Sequence, residues 1–300
     1  MRELAFDDMH LFARVAELGT LSAVARERDV PVSQVSRGLS RIEQVCGARL
    51  IHRSTHGLSL TAEGQTLLAY GRRLLGTLDE LEGEFATKSR AVSGLVRVAA
   101  STVIAHYQLV PSLASLGQRH PALRVELEVS DRLADMVRDG IDIAIRTSQA
   151  LPDTVVARQI GSLGRALYAS PDYAAQAGLP AHPDELHRHR LITNSLVPAM
   201  NQWPFKIRGK AMVYQADGHW RSNDTNMGAS MVLQGLGIGR LSNLASEPLV
   251  RQQRLVPVLV EYVDVQKVPV YAVTASGRHR LPKIRACIDH WAQWFAANTS

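Results

Sequence analysis

Residues 32–47, VSQVSRGLSRIEQVCG, constrain this chain more than any other stretch. At helical period Val35, Leu39, Ile42 and Cys46 fall at i, i+4, i+7 and i+11, a single apolar stripe that needs burial. The other side carries Gln34, Ser36, Arg37, Ser40 and Arg41, preceded by Ser33, with no carboxylate among them. Arg and Gln make two-pronged contacts to base edges, while Ser and Arg bond phosphate oxygens. Taken alone, such a helix suits a DNA groove and an ordinary solvated surface equally well.

The flanking residues narrow the choice. Residues 8–18 form an apolar-faced helix with Met9, Phe12, Val15 and Ala16 inward, stopped at Gly19. Residues 22–27 form a short Ala-rich helix, which Asp29-Val30-Pro31 breaks because proline lacks an N–H and has a fixed φ. After the central helix come Leu50-Ile51-His52-Arg53, a turn at residues 54–57, and Leu58-Ser59-Leu60, the pattern of a small hairpin or wing. The economical reading is a winged helix-turn-helix with its second turn helix in the major groove.

The residues that carry this pattern also carry a resemblance. Met9, Phe12, Val15-Ala16-Glu17, Gly19-Thr20-Leu21-Ser22-Ala23, Val35-Ser36-Arg37, Arg41-Ile42-Glu43, Gly47, Leu50, Arg53, Leu58-Ser59-Leu60-Thr61 and Gly64 resemble the signature of LysR-type transcriptional regulators. The family usually has Ser-Gln-Pro-Ala where this chain has Pro31-Val32-Ser33-Gln34, His56 stands at its usual wing arginine, and Arg28 replaces an apolar residue. The resemblance implies DNA contacts from Ser33, Gln34, Ser36, Arg37, Ser40, Arg41, Arg53 and His56, with Arg53 on phosphate. The preferred DNA sequence stays open.

Three hundred residues suffice for two or three domains with real cores. Apolar content of 46% and charged content of 21% are those of a globular protein. No run of eighteen apolar residues occurs, so no transmembrane helix is expected. The start MRELAFDDMH has acids where a signal peptide needs an apolar core. Cys46 and Cys287 both fall on apolar helix faces, which fits core roles and a reducing, cytoplasmic compartment. The net charge of +6 does not by itself argue for nucleic acid. The local balance does, since residues 20–60 hold six arginines against three acids.

A long helix is expected from Thr61, as N-cap, to about residue 87. Leu67, Leu74 and Leu81 repeat every seven residues, as do Gly71, Leu78 and Phe85, and the two series interleave as a coiled-coil seam. The residues allow packing on the helix's own domain or on a second copy. The resemblance favours a linker that dimerises the reading heads, with Gly71 letting two backbones approach.

Beyond residues 91–94 strands and helices alternate. Strands are expected at 95–100, 123–129 and 141–145, helices at 101–116 and 131–139, a βαβαβ succession that argues for a twisted α/β sheet. A second such unit begins at Arg165, with helices from Pro171 and near Pro183, and runs through residues 191–193, 211–214 and 237–241, while 268–273 and 282–295 return to the first. By resemblance this is a two-lobed α/β effector domain like a periplasmic binding protein. The expected fold is thus α/β overall: a winged helix-turn-helix over 1–64, a linker helix over 65–90 and the effector domain over 91–300. Lobe 1 takes about 91–162 and 267–300, and lobe 2 about 163–266.

In open α/β sheets ligands sit beyond the carboxyl ends of strands, where helix N-termini present free N–H groups. Ser101 and Thr102 occupy that place after the first strand, and suit a carboxylate or other anion or merely cap a helix. Arg146 and Thr147 follow the third strand, as ligand contacts or ion-pair partners. Thr193, Asn194, Asn223 and Thr225 offer polar groups from the second lobe, while Asp224 would repel a carboxylate.

Catalytic signals are poor. Gly235-Leu236-Gly237-Ile238-Gly239 lacks dinucleotide-loop spacing and lies in a strand pattern, and no nucleophile elbow, P-loop, C-x-x-C or H-E-x-x-H is present. His182, His187 and His189 cluster without completing a ligand set, so neither metal nor cofactor is implied. The sequence therefore reads as a cytoplasmic, homo-oligomeric regulator of transcription, dimer or tetramer, with no membrane partner. It would bind an interrupted palindrome of double-stranded DNA under control of a small effector. The alternatives are a DNA-binding protein whose second domain only oligomerises, which an apolar pocket would favour, and a DNA-tethered enzyme, which needs a nucleophile–base pair.

Overall fold

Where apolar residues recur every three to four positions near the N-terminus, the chain packs three helices on one another. α1 (Phe6–Leu18) ends at Gly19, whose φ of 66° is a left-handed stop. α2 (Leu21–Glu27) is N-capped by Thr20, whose hydroxyl accepts from the Ala23 N–H at 3.2 Å. α3 (Val32–Cys46) buries Val35, Leu39 and Ile42 and stops at Gly47, φ 65°. The antiparallel hairpin of β1 (Ile51–Ser54) and β2 (Gly57–Leu60) sets Ile51 opposite Leu60. α4 (Ala62–Phe85) follows Thr61, whose hydroxyl donates to the Arg49 carbonyl at 2.7 Å and accepts from the Gly64 N–H at 3.0 Å. This is a computed structural model, and it describes residues 4–54, 57–85, 92–132, 136, 139–147, 155–275 and 278–298.

Phe12, Val15, Val24, Leu39, Ile42 and Leu50 form a closed core, each contributing about 1.5–3 kcal/mol by burial. Gly64 is demanded by packing, because a Cβ there would lie 2.0 Å from the Leu50 carbonyl oxygen. The chain divides into two compact units, residues 1–90 with 135–141 and residues 91–134 with 142–300.

The second unit is built from two sheets. Lobe 1 contains β3 (Gly94–Ala100), α5 (Thr102–Ile104), a wide π turn (Ala105–Leu109) and α6 (Val110–Arg119). It continues through β4 (Leu123–Val129), β5 (Ile143–Thr147) and β6 (Val155–Leu163). The helical stretch widens just before Pro111, where Val110 donates to the Ala105 carbonyl rather than one residue later. The chain crosses at Gly164 into lobe 2. There β7 (Arg165–Ala169), α7 (Pro171–Ala177), β8 (Leu191–Asn194), β9 (Gln202–Ile207) and β10 (Lys210–Gln215) follow in turn. β11 (Trp220–Ser222), α8 (Thr225–Leu233), β12 (Ile238–Ser242), α9 (Asn243–Arg251) and β13 (Val256–Val258) complete that lobe. β14 (Val268–Ala275) and α10 (Pro282–Asn298) return to lobe 1.

The lobe 1 sheet has the order β4-β3-β5-β14-β6 and the lobe 2 sheet the order β11-β8-β12-β7-β13, with β9 and β10 a separate hairpin. Trp291 and Phe295 of α10 fill the first core, and Gly161 leaves room for Phe295, whose ring a Cβ would meet at 2.5 Å. Trp203 and Phe205, alternating along β9, fill the second.

Two expectations need adjustment. The third strand starts at Ile143, not 141, because the Asp142 carboxylate takes the Arg97 N–H at 2.9 Å and pairs with Arg278. The segment near Pro183 is a 3₁₀ turn (Pro183–Arg188) rather than an α-helix. The helix expected at 131–139 falls largely outside the described residues.

Candidate nucleic-acid interface and interlobe cleft

α3 presents Ser33, Gln34, Arg37 and Ser40 on an exposed face, with Ser36 half-buried beside them. Arg37 is steadied by its Nε donating to the Ser33 carbonyl at 3.3 Å, and the Ser40 hydroxyl donates to the Ser36 carbonyl at 3.0 Å. Arg41 is exposed along its length, yet its guanidinium pairs with the buried carboxylate of Asp8. Asp8 also accepts the Ala5 N–H at 2.9 Å, so this pair clips α3 to the start of α1. The structure thus gives Arg41 a structural duty that its place in the sequence did not disclose. Glu43 faces the other way and accepts the Leu50 N–H at 2.9 Å, fixing the wing to α3. His56, and the Arg53 side chain, lie outside the described residues.

The two lobes enclose a cavity of about 660 Å³. Ser101, Arg146, Thr147, Thr193, Asn194 and Thr225 line it, as expected positions for an effector. Asn223 does not line it and is exposed. Thr102 does not line it either, because the protein supplies its own carboxylate there. Asp131 accepts the Thr102 N–H at 3.2 Å and the Thr225 N–H, at the start of α8, at 2.6 Å. The Thr102 and Thr225 hydroxyls meet at 3.1 Å, so a polar clasp joins lobe 1 to lobe 2. Ser101 makes no side-chain capping bond, whereas Asp224 caps α8 by accepting the Met227 N–H at 2.8 Å. Asn194 is held by a local network: its N–H donates to Asn201 Oδ1 at 2.8 Å, and its own Oδ1 accepts the Val197 N–H at 2.7 Å.

Arg165 and Arg240 line the same cavity and were absent from the residues picked out above. β12 pairs antiparallel with β7, setting Arg165 opposite Ser242. Arg240, two residues from Ser242, therefore shares a sheet face with Arg165. Burial and the charge of Arg165 pull the Arg240 guanidinium down to about 10. Burial lowers Arg165 too, while Asp131 pulls it back. Arg146, from lobe 1, is also lowered by burial. The wall is cationic.

Both regions match known families. Residues 6–65 match the bacterial regulatory helix-turn-helix protein family of the lysR type, and residues 89–296 match the LysR substrate binding domain. The chain belongs to the LysR family of transcriptional regulators. It is similar to the uncharacterized HTH-type transcriptional regulator YhjC of Escherichia coli, 32% identical over 85% of this chain and 86% of the relative. It is also similar to the HTH-type transcriptional regulator DmlR of Escherichia coli, 28% identical over 97% of this chain and 94% of the relative. Among solved structures, the LysR-type regulator CrgA of Neisseria meningitidis is 25% identical with a TM-score of 0.65, covering 97% of this chain and 99% of that one.

As a LysR-type regulator the chain binds DNA through its helix-turn-helix and carries an effector-binding domain; it is not an enzyme. LysR-type regulators form oligomers, and α4 leaves two large apolar side chains exposed. Tyr70 and Leu74 are 60% and 50% exposed. The seam read from the sequence splits, however. Leu67 packs on the head's own core and Gly71 is buried against Met9, whose sulfur a Cβ there would meet at 3.3 Å. Gly71 thus admits α1 rather than a second backbone. Leu78 is half-buried, and the Leu81 and Phe85 side chains lie outside the described residues. Neither thiol is primed for redox chemistry: burial raises Cys46, and burial with Asp142 nearby pushes Cys287 up to about 12. Among the described residues no cluster could hold a metal, and no helix is long and apolar enough to cross a membrane.

The signal for Arg165 and Arg240 was present in the sequence. Each interrupts or opens an apolar strand, RALYA and IGRLS, where a cation is out of place unless it serves a site.

Proposed function

We propose that this regulator binds an interrupted palindrome as a homodimer or tetramer in the cytoplasm and responds to a small anion held between its lobes. The paired heads lay α3 in successive major grooves, with Ser33, Gln34, Ser36, Arg37 and Ser40 toward the DNA and Arg53 and His56 of the wing on its backbone. One observation carries the effector reading. The cavity wall bears four arginines, the exposed Arg132 with Arg146, Arg165 and Arg240, against the two acids Asp131 and Asp224, whose oxygens already accept protein N–H groups. A second domain kept only for oligomerisation has no use for such a wall, since burying cations costs stability. The anion shifts the balance of interlobe arrangements by binding one better than the other, and the heads are repositioned accordingly.

The test begins with duplexes selected from a randomised pool by the full chain. Affinity for the selected duplex is then measured with and without a panel of small anions at constant ionic strength. An anion-specific change in affinity or in the protected length is expected. Affinity that follows ionic strength alone would refute effector control.

A further inference from the structure

The cavity supports a sharper statement about its occupant, one that rests on the reading of the cleft as an effector site. Its charges are unevenly settled. Asp131 faces Arg165 while accepting the Thr102 and Thr225 N–H groups. Asp224 is taken up by the start of α8, and Arg146 has its own partner. Arg132 is exposed and solvated, and Arg240 is the exception among the rest. Its Nε is sealed from solvent with no hydrogen-bond partner. Its neighbour on the same sheet face is another cation, Arg165, diagonally placed on the adjoining strand about 7–8 Å away. A buried guanidinium donor with no acceptor, beside a like charge, is costly in the empty protein and marks where a negative group is missing. With the exposed Arg132 set aside, three cations of the wall stand against two acids, and what is missing is one negative charge. Much of the remaining wall is apolar, including Val103, Ile192, Val197, Met200 and Leu241. Such a wall gains from a hydrophobic body and loses from a second charge.

We infer that the effector is a monocarboxylate with an apolar body, its carboxylate seated on Arg240 beside Arg165 and its body against the apolar wall. A guanidinium fork donates two parallel N–H···O bonds to a carboxylate, which gives the site its selectivity over neutral isosteres.

The experiment uses the full chain and reads melting temperature and affinity for the selected duplex. The probes are benzoate, cinnamate, hexanoate and octanoate, with benzamide as a neutral isostere, succinate as a dianion with little apolar body, and inorganic phosphate. At least one of the four monocarboxylates is expected to raise the melting temperature by about 5–10 °C at roughly one hundred times its Kd. Benzamide, succinate and phosphate are expected to do less at the same concentration and ionic strength. Arg240→Met is expected to abolish that rise and, because it removes an unpartnered cation, to melt higher than the parent in the absence of any probe. A purely structural Arg240 would give the opposite sign in the empty protein.

The inference is overturned if no monocarboxylate stabilises the chain, if benzamide matches benzoate, if succinate or phosphate outranks all four, or if Arg240→Met melts lower or keeps the shift. Should a monocarboxylate bind through Arg240 yet leave duplex affinity unchanged, the carboxylate site stands and effector control falls.

Discussion

Arg37 and Arg41 lie one helical turn apart on α3 and look equivalent in sequence, yet their surroundings differ. Arg37 is exposed and braced by the Ser33 carbonyl, while Arg41 is spent on the buried Asp8. Arg37→Ala is therefore expected to cost about 1–3 kcal/mol on the selected duplex and to relax base preference, with thermal stability unchanged. Arg41→Ala is expected to lower the melting temperature, since it leaves a buried carboxylate without its cation. Duplex titrations paired with melting curves separate the two, and equal losses of stability would remove the distinction. A second residue, His290, links stability to pH. It is buried, with Nε2 beside the Ser112 carbonyl at 3.1 Å and Nδ1 without a partner, and burial holds its pKa below the ordinary histidine value. The native imidazole is neutral, whereas the unfolded chain takes up a proton below about pH 6.5. Stability is therefore full above that pH and declines as pH falls toward the lowered native value. Denaturant unfolding from pH 7.5 to 5 is expected to show this decline, less steeply in His290→Gln; His189, also lowered by burial, leaves a residual slope.

At the scale of elements, the helix-turn-helix was legible because its stripe, its Pro31 break and its glycine stops act locally, without help from distant residues. The strict alternation of β4 showed for the same reason, with Leu123, Val125 and Leu127 packed toward the lobe 1 core. The partner of α4 was less legible. Heptad spacing states that a helix has an apolar face, not whose surface that face meets. In the folded chain Leu67 and Gly71 turn to the head, which leaves Tyr70 and Leu74 outward. Leu74→Glu is accordingly expected to leave the head folded, because the carboxylate reaches water in the single chain, and to dissociate the oligomer by burying a charge between copies. Sedimentation and circular dichroism check both halves; an unchanged sedimentation coefficient would place the oligomer contact elsewhere. The cleft was legible as a place but not as a chemistry. Ser101 and Thr102 follow their strand as anticipated, yet Asp131, some thirty residues on, fills the position beside Thr102. Only tertiary folding brings the two together, and only sheet pairing reveals that Arg165 and Arg240 share a face.

At the scale of the whole molecule, the clasp of Asp131 with Thr102 and Thr225 bears on the effector response proposed above. If the proposed effector is an anion in this cleft, the internal carboxylate that faces Arg165 competes with it for the same field, at a concentration no cell can vary. Part of the intrinsic affinity for an effector is then forfeited, since apparent affinity scales with the fraction of protein in the competent arrangement. Asp131→Asn keeps only one of the two oxygens, Oδ1 toward Thr102 and Oδ2 toward Thr225, that accept these N–H groups, and it removes the rival charge. It is expected to lower the anion concentration at half-maximal change in duplex affinity, leaving the amplitude intact. A midpoint that stays put or moves upward in the titration would show that Asp131 does not compete. Read this way, residue 131 is a rheostat: substitutions there would retune the dose at which genes respond, while the choice of ligand and the choice of operator stay where they are.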